Sequence, residues 1–427
     1  MEFGPQDLPG QNPGTRERKP DEVKSADLHP DVPVTHSSPD DREWFGGAKF
    51  WNWEHMLGDL AGGRSFLEDK GLTLASSFTL DWSSVFSGGQ RNVASTRHLF
   101  DFNATADLEK LVKLPGATIY ADFYSGSMRG GSRDVGDLQG ISGLDTGRAV
   151  TQLAQLWFEQ KLFEELLRIK LGKVDANSEF AFLQSAADFS HASVGFSPAL
   201  TSFPSYPNPS SSVNVFVYPT EHLYAGFGFY DGSAAIGNNT GSLGPAPLFR
   251  GAEYVYLAEF GGTWTKDSSI GPGRAALGAY HHTASFTQFD ANTADNTSGL
   301  YVVAEQRLWS ANPKLDDAQS LWCFAQFGWT NEDVSATHVH LAGGFVLRGT
   351  FPTRESDTTG VYASWINTSR APGSPFTDDE LALEVFYKVQ VTGFLTLKPD
   401  LQYIINPGGD SSNDAAVVGA LRLQIAF

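Results

Sequence analysis

The sequence predicts an all-β fold, a sixteen-stranded antiparallel transmembrane β-barrel preceded by a short helical segment. Three observations predict it. From Gly71 to Phe427 apolar and polar side chains alternate with period two, the signature of strands with one apolar face. The alternating runs extend for about nine to fifteen residues, long for a sandwich but suited to a tilted membrane strand. Charged residues are 19% of the chain and aromatics 13%, with 44 Gly, a balance that favours pleated surfaces over helices.

Residues 1–45 are rich in Pro, Asp, Glu and Ser and have few aromatics before Trp44 and Phe45. Such a stretch has too little apolar surface to order itself, so a flexible acidic tail is expected. Residues 46–70 place Trp51, Trp53, Met56, Leu57, Leu60 and Leu67 at spacings that suit a short amphipathic helix or plug-like segment. The barrel is expected over 71–427.

In the first strand Leu72, Leu74, Phe78, Leu80, Trp82 and Phe86 share one parity, and Thr73, Ser77, Thr79, Asp81 and Ser83 the other. The second sets Phe100, Phe102, Ala104, Ala106 and Leu108 against Asp101, Asn103, Thr105, Asp107 and Glu109. The third sets Ala117, Ile119, Ala121 and Phe123 against Thr118, Tyr120, Asp122 and Tyr124. The last sets Val417, Gly419, Leu421, Leu423, Ile425 and Phe427 against Ala420, Arg422, Gln424 and Ala426. No charge falls on these apolar sets. That matters because Arg or Lys facing lipid at mid-bilayer costs about 2–4 kcal/mol.

Further runs fall near 149–161, 165–174, 211–218, 221–231, 251–265, 273–289, 299–310, 319–331, 335–349, 357–368, 378–390, 393–405 and 413–427. With the first three they make sixteen, an even number as a single-chain bacterial barrel requires, and enough to leave an aqueous channel. Residues 151–171 are rich in helix formers, and an amphipathic helix competes there. Strand parity puts Ala154, Leu156 and Phe158 outside and Gln155, Trp157 and Glu159 inside. On the next strand Leu167, Ile169 and Leu171 face out, and Arg168 and Lys170 face in.

No run approaches the eighteen or so apolar residues of a membrane helix, a test that says nothing of a barrel. No secretory leader is visible at Met1, so an exported chain is expected to be a processed form. The net charge of −19 argues against nucleic acid. The first 45 residues contribute −5 of it, with ten acidic and five basic side chains, and leave −14 for loops and lumen. The single Cys323 excludes an internal disulfide and a Cys-based metal cage.

Several motifs carry a resemblance. Gly58-Asp59, Gly62-Gly63-Arg64, Leu67 and Gly71 form an opening, with Leu60-Ala61 where a single Trp is usual. Leu156-Trp157-Phe158-Glu159-Gln160, Leu167 to Lys173 and Asp175-Ala176-Asn177 form a hairpin and its exit. Tyr206-Pro207, Asn214 to Tyr218-Pro219, Gly344-Phe345-Val346, Arg348-Gly349, Thr396 to Ile404 and Asn406-Pro407-Gly408 follow. Over roughly residues 55–427 the chain resembles the carbohydrate-selective porins of the OprB type. Phe427 resembles the terminal aromatic residue of many outer-membrane barrels. The resemblance implies inward-folded constriction loops, a place in the bacterial outer membrane, and passive diffusion of small sugars. Homotrimers are common among porins.

A water-filled constriction must bind solute firmly enough to admit it and weakly enough to release it. The candidates for that role are Trp157, Glu159, Arg168 and Lys170 on facing strands, with Asp175, Asn177 and Glu179 in the loop leaving them. The loop continues through Phe180, Phe182, Phe203, Tyr206 and Pro207, and its length and aromatic content suggest that it enters the lumen. Glu305, Arg307, Glu384, Lys388 and Arg422 are further inward charges. For both groups, wall structure with cross-strand ion pairs is the competing reading.

Catalytic and metal sites find little support. His281 and His282 are adjacent on a strand and point to opposite faces. Glu253 and Glu259 lie about 20 Å apart along a strand at ~3.3 Å per residue. Ser233 and Ser364 lack a nucleophile elbow, and His98, His222 and His338 lack a partner set. Asp316-Asp317, Asp378-Asp379 and Asp410 read as solvated turns, without Ca²⁺-loop spacing. No enzyme activity, metal or cofactor is expected. The expected partners are small sugars, outer-membrane lipid and lipopolysaccharide, and a cell-wall or protein contact by the tail. A general or ion-preferring porin and a barrel anchored through its tail are the alternatives.

Overall fold

Alternation of period two becomes a closed wall. The computed structural model describes residues 49–128, 130–242, 252–265, 267–312 and 319–427. The tail over 1–45 and the Asp316-Asp317 turn lie outside the described residues. The strands are β1 (Leu72–Ser87), β2 (Ala94–Asp107), β3 (Ala117–Met128), β4 (Val150–Leu162), β5 (Leu167–Val174) and β6 (Ser210–Thr220). Next come β7 (Leu223–Asp231), β8 (Tyr254–Trp264), β9 (Gly273–His282), β10 (Phe286–Thr287), β11 (Thr293–Ala294) and β12 (Thr297–Ser310). The series ends with β13 (Ser320–Thr330), β14 (Thr337–Arg348), β15 (Thr358–Thr368), β16 (Glu380–Thr392), β17 (Leu395–Ile405) and β18 (Ala416–Ala426).

All but β10 and β11 form one antiparallel barrel of sixteen strands, closed where β1 pairs with β18 through Leu80↔Leu423 and Trp82↔Leu421. Closure leaves no unpaired edge. Outward Leu80, Trp82, Phe86, Phe100 and Phe102 are exposed, while inward Thr79, Asp81, Ser83, Arg97 and Asp101 are buried. The 151–171 segment is the β4–β5 hairpin, not a helix.

Three details differ from the sequence reading. The 273–289 run leaves the wall after His282, because β8 starts at Tyr254 and offers no partner further on; Phe286–Thr287 pairs instead with Thr293–Ala294. Leu108 and Glu109 are not in a strand: the Asp107 carboxylate accepts from Glu109 N and Lys110 N and caps a short helical turn at Leu108–Val112. Ala154 does not face out. Asp122 pairs with Gln155 and Phe123 with Leu153, so Ala154 is bulged and buried against Leu99, Tyr124, Leu144 and Val150.

Inward glycines make room for inward rings. Gly278 lies opposite Tyr301, and a Cβ there would meet the ring at 2.0 Å; Gly360 lies opposite Phe386, with 2.4 Å. At one end the connections are mostly short, and the segment before β1 and the last residues of β18 meet there, as on the periplasmic side of such barrels. There the helix α1 (Gly63–Lys70) is capped by Asp59 Oδ1, which accepts from Ser65 N at 2.7 Å. Arg64 donates to Leu74 O (2.7 Å) and Phe427 O (2.9 Å), and Met56 N to Ala426 O (2.8 Å). The segment therefore clasps the seam between first and last strands.

At the other end two long connections turn inward. Residues 175–209 form the larger one, and residues 130–149 meet them through Ala192 N→Gly140 O (2.9 Å) and Gly143 N→Ser190 O (2.8 Å). The core of this protein lies inside the barrel. Phe189 sits 4.8 Å from Phe386, 5.4 Å from Tyr362 and 5.5 Å from Phe324 between ring centroids. Each such aromatic pair is worth about 0.5–1.5 kcal/mol beyond the area it buries.

Candidate functional site

The β4–β5 hairpin brings the predicted charges together because Glu159 pairs directly with Lys170. Glu179 reaches back from the loop and completes a four-charge cluster. Arg168 donates to Glu179 at 2.6 Å and to Glu159 at 3.2 Å. Lys170 lies 2.5 Å from Glu179 and 3.3 Å from Glu159, and none of the four side chains is more than 5% exposed. Trp157 supports the cluster from below: it stacks on Tyr120 at 4.9 Å, and the Lys170 ammonium lies 3.9 Å from its centroid.

Asp175 and Asn177 shape the loop. Asp175 accepts from Asn177 N (2.8 Å), Ser205 Oγ (2.6 Å) and Tyr206 N (3.0 Å). Asn177 donates from Nδ2 to Phe180 O and Gly195 O. Of the outer candidates, Glu305 accepts from Ser185 N at 2.7 Å, and Glu384 from Ser190 N and His191 N at 2.7 and 3.0 Å. Lys388 holds Asp188 at 2.6 Å. Arg422 holds Asp81 at 2.7 Å, where Ser142 of the second loop also donates. Arg307 is buried in the wall. Most of the predicted residues thus gather at the 175–209 loop, while Arg422 meets the 130–149 loop and Arg307 stays in the wall; most touch loop or wall rather than open lumen.

Solvent reaches a cavity of about 370 Å³ between the loop and one stretch of wall. Arg168, Glu179 and Glu305 line it, joined by Phe182, Tyr218, Arg274, Trp322 and Arg348. Tyr218 and Trp322 are only partly buried. Arg274 is held by Glu259 at 2.7 Å and lies 3.9 Å from the Phe182 centroid. The sequence reading missed Arg274, Trp322 and Arg348 as site residues. Parity marks all three as inward, but nothing local distinguishes them from other inward residues; their neighbourhood depends on which strands lie side by side.

The arrangement is a cavity beneath a pinned loop, lined by fixed charges and aromatic rings. A family model for carbohydrate-selective porins, the OprB family, matches residues 91–427. The chain belongs to that family. It is an outer-membrane porin, a channel protein rather than an enzyme. Porin B of Pseudomonas aeruginosa is 26% identical over 428 residues, covering 88% of this chain and 92% of that one. The high-pH structure of Pseudomonas putida OprB superposes with a TM-score of 0.80 at 22% identity, covering 89% of this porin and 100% of that chain. Its low-pH structure gives a TM-score of 0.59 at 20% identity, covering 88% and 99%.

Proposed function

We propose that this porin passes small sugars by diffusion through the cavity beneath the 175–209 loop, where a sugar exchanges hydration for ring faces and guanidinium donors. One observation carries the reading: partly exposed Tyr218 and Trp322 line the same 370 Å³ space as Arg168, Arg274 and Glu305. Sugars present apolar C–H faces to aromatic rings and hydroxyls to charged groups, and such a cavity is large enough for a monosaccharide. The Arg168–Glu179–Lys170–Glu159 cluster holds the rim still, so the passage keeps its width while solute moves. Exposed rings with few fixed donors bind weakly, which transport requires.

The test is single-channel current in a planar bilayer titrated with glucose. Wild type should show saturable block. Trp322→Ala and Tyr218→Ala should each raise the half-blocking concentration several-fold, as loss of a stacking face worth about 1 kcal/mol implies. Block unchanged in both variants would overturn this placement of the sugar site.

A further inference from the structure

The charges that line this cavity are paired unequally. Three guanidinium groups line it, Arg168, Arg274 and Arg348, against two carboxylates, Glu179 and Glu305. Both carboxylates are engaged: Glu179 between Arg168 and Lys170, Glu305 by the Ser185 N–H. Arg274 is neutralised by Glu259, whose side chain is fully buried behind the cavity surface. Arg348 is different. Among the described residues its guanidinium makes no hydrogen bond and no close ion pair; it lies 5.6 Å from the Trp322 ring centroid, and the Asp188 carboxylate, already held by Lys388 at 2.6 Å, feels its charge from further off. Arg348 is the last residue of β14 and shares inward parity with Val346 and Ala342, so its five N–H donors face the passage.

We infer that the porin favours sugars bearing a carboxylate or phosphate, with Arg348 as the group that recognises the anion and Trp322 as the adjoining platform for the ring. This rests on the sugar site proposed above and names its substrate class. A guanidinium matches the two oxygens of a carboxylate or phosphate edge to edge, and a charge-assisted bond is about twice as strong as a neutral one. β9 and β14 are separated by β12 and β13, so Arg274 and Arg348 lie about 14 Å apart around the wall at ~4.8 Å per strand. An anionic sugar leaving Arg348 therefore finds a second guanidinium within the same cavity, already satisfied by Glu259 and so a weaker hold. Two unequal cationic stations suit entry and release.

The experiment compares current block by glucose, glucuronate and glucose 6-phosphate at fixed ionic strength. For wild type, half-block by the two anionic sugars should come at a concentration about fivefold lower than for glucose, as one exposed ion pair worth about 1 kcal/mol gives. The advantage should shrink between about 0.1 and 1 M KCl, as screening shortens the Debye length from ~10 to ~3 Å. Arg348→Gln should bring the ratio toward one, and Arg348→Lys should keep most of it. Preference for only one of the two anions identifies the source of the charge and still supports the inference. Equal block by all three sugars overturns the inference and leaves the sugar site standing. An anionic advantage that survives Arg348→Gln overturns the role of Arg348. No block by any of them overturns both readings.

Discussion

The Ala181 N–H donates to Glu259 Oε2 at 2.9 Å, across 78 residues of sequence. It is the first of three clamps of one kind. Glu305 takes Ser185 N, and Glu384 takes Ser190 N and His191 N. As the loop advances from 181 to 191, its anchors advance from β8 through β12 to β16. The loop is stitched around the inner wall, each carboxylate satisfying backbone donors that burial would otherwise orphan.

Glu259 also receives Tyr224 OH, Tyr301 OH and Arg274, so it ties loop, rings and a cavity guanidinium together. Glu259→Ala should leave Arg274 buried without its partner, a loss of about 3–5 kcal/mol for a broken buried pair. The barrel should still assemble, with a lower melting temperature and a noisier, larger single-channel current. Quiet traces of wild-type size would show that the clamp does not hold the loop.

Lys170 and Glu179 should couple strongly. A hydrogen bond to a charged group contributes about 1.5–3 kcal/mol. A double-mutant cycle of Lys170→Met and Glu179→Gln, read by hydrogen exchange of the loop amides near Phe180, should show non-additivity of roughly that size. Additive effects would mean that the cluster does not anchor the loop.

Gly278→Ala should be costly although alanine is small. Its Cβ would lie 2.0 Å from the Tyr301 ring, and moving that ring breaks the 2.8 Å bond from Tyr301 OH to Glu259. Overpacking of this kind costs about 1–3 kcal/mol. Thermal unfolding followed by gel mobility or circular dichroism checks it, and an unshifted midpoint would count against the close packing described.

Acid should loosen the loop at His191. Burial lowers its pKa from 6.5 to about 3, and its Nδ1 lies 2.8 Å from Ser193 Oγ. A folded pKa below the unfolded one means that the unfolded loop binds the proton more readily. Stability is therefore full above pH 6.5 and declines as pH falls from 6.5 toward 3. His340 approaches from β14, and Glu384 on β16 accepts the His191 backbone N–H. The protection factors of amides 189–194, taken against the intrinsic exchange rate at each pH, should fall between pH 6.5 and 4 in wild type and less in His191→Gln. Equal acid sensitivity in both would assign the effect to other groups.

The loop over 175–209 was legible as an inward one from its length and aromatic content, because Phe180, Phe182 and Phe203 need a surface to bury against. The loop over 130–149 gave no such signal. It is rich in Gly, Ser and Asp and has no aromatic residue, and it enters the lumen through backbone bonds to Gln402, Glu380 and residues 190–192. The bulge at Ala154 was equally silent, since alternation counts residues and does not see a register shift.

The sequence by itself determined the barrel, its strand number and the facing of nearly every wall residue. Lipid on one side and water on the other impose period two, and a charge on the wrong parity costs more than a strand can easily tolerate. It also drew Glu159, Arg168, Lys170 and Glu179 into one neighbourhood, because they lie on a single hairpin and the loop that leaves it. Only the tertiary structure decided which inward residues meet solute and which hold the loop. Glu259 clamps while Arg348 stands open to the passage, and the two look alike in sequence, as inward charges on amphipathic strands. The difference arises from where a loop tens of residues away comes to rest, and that is fixed by packing and hydrogen bonding across the lumen.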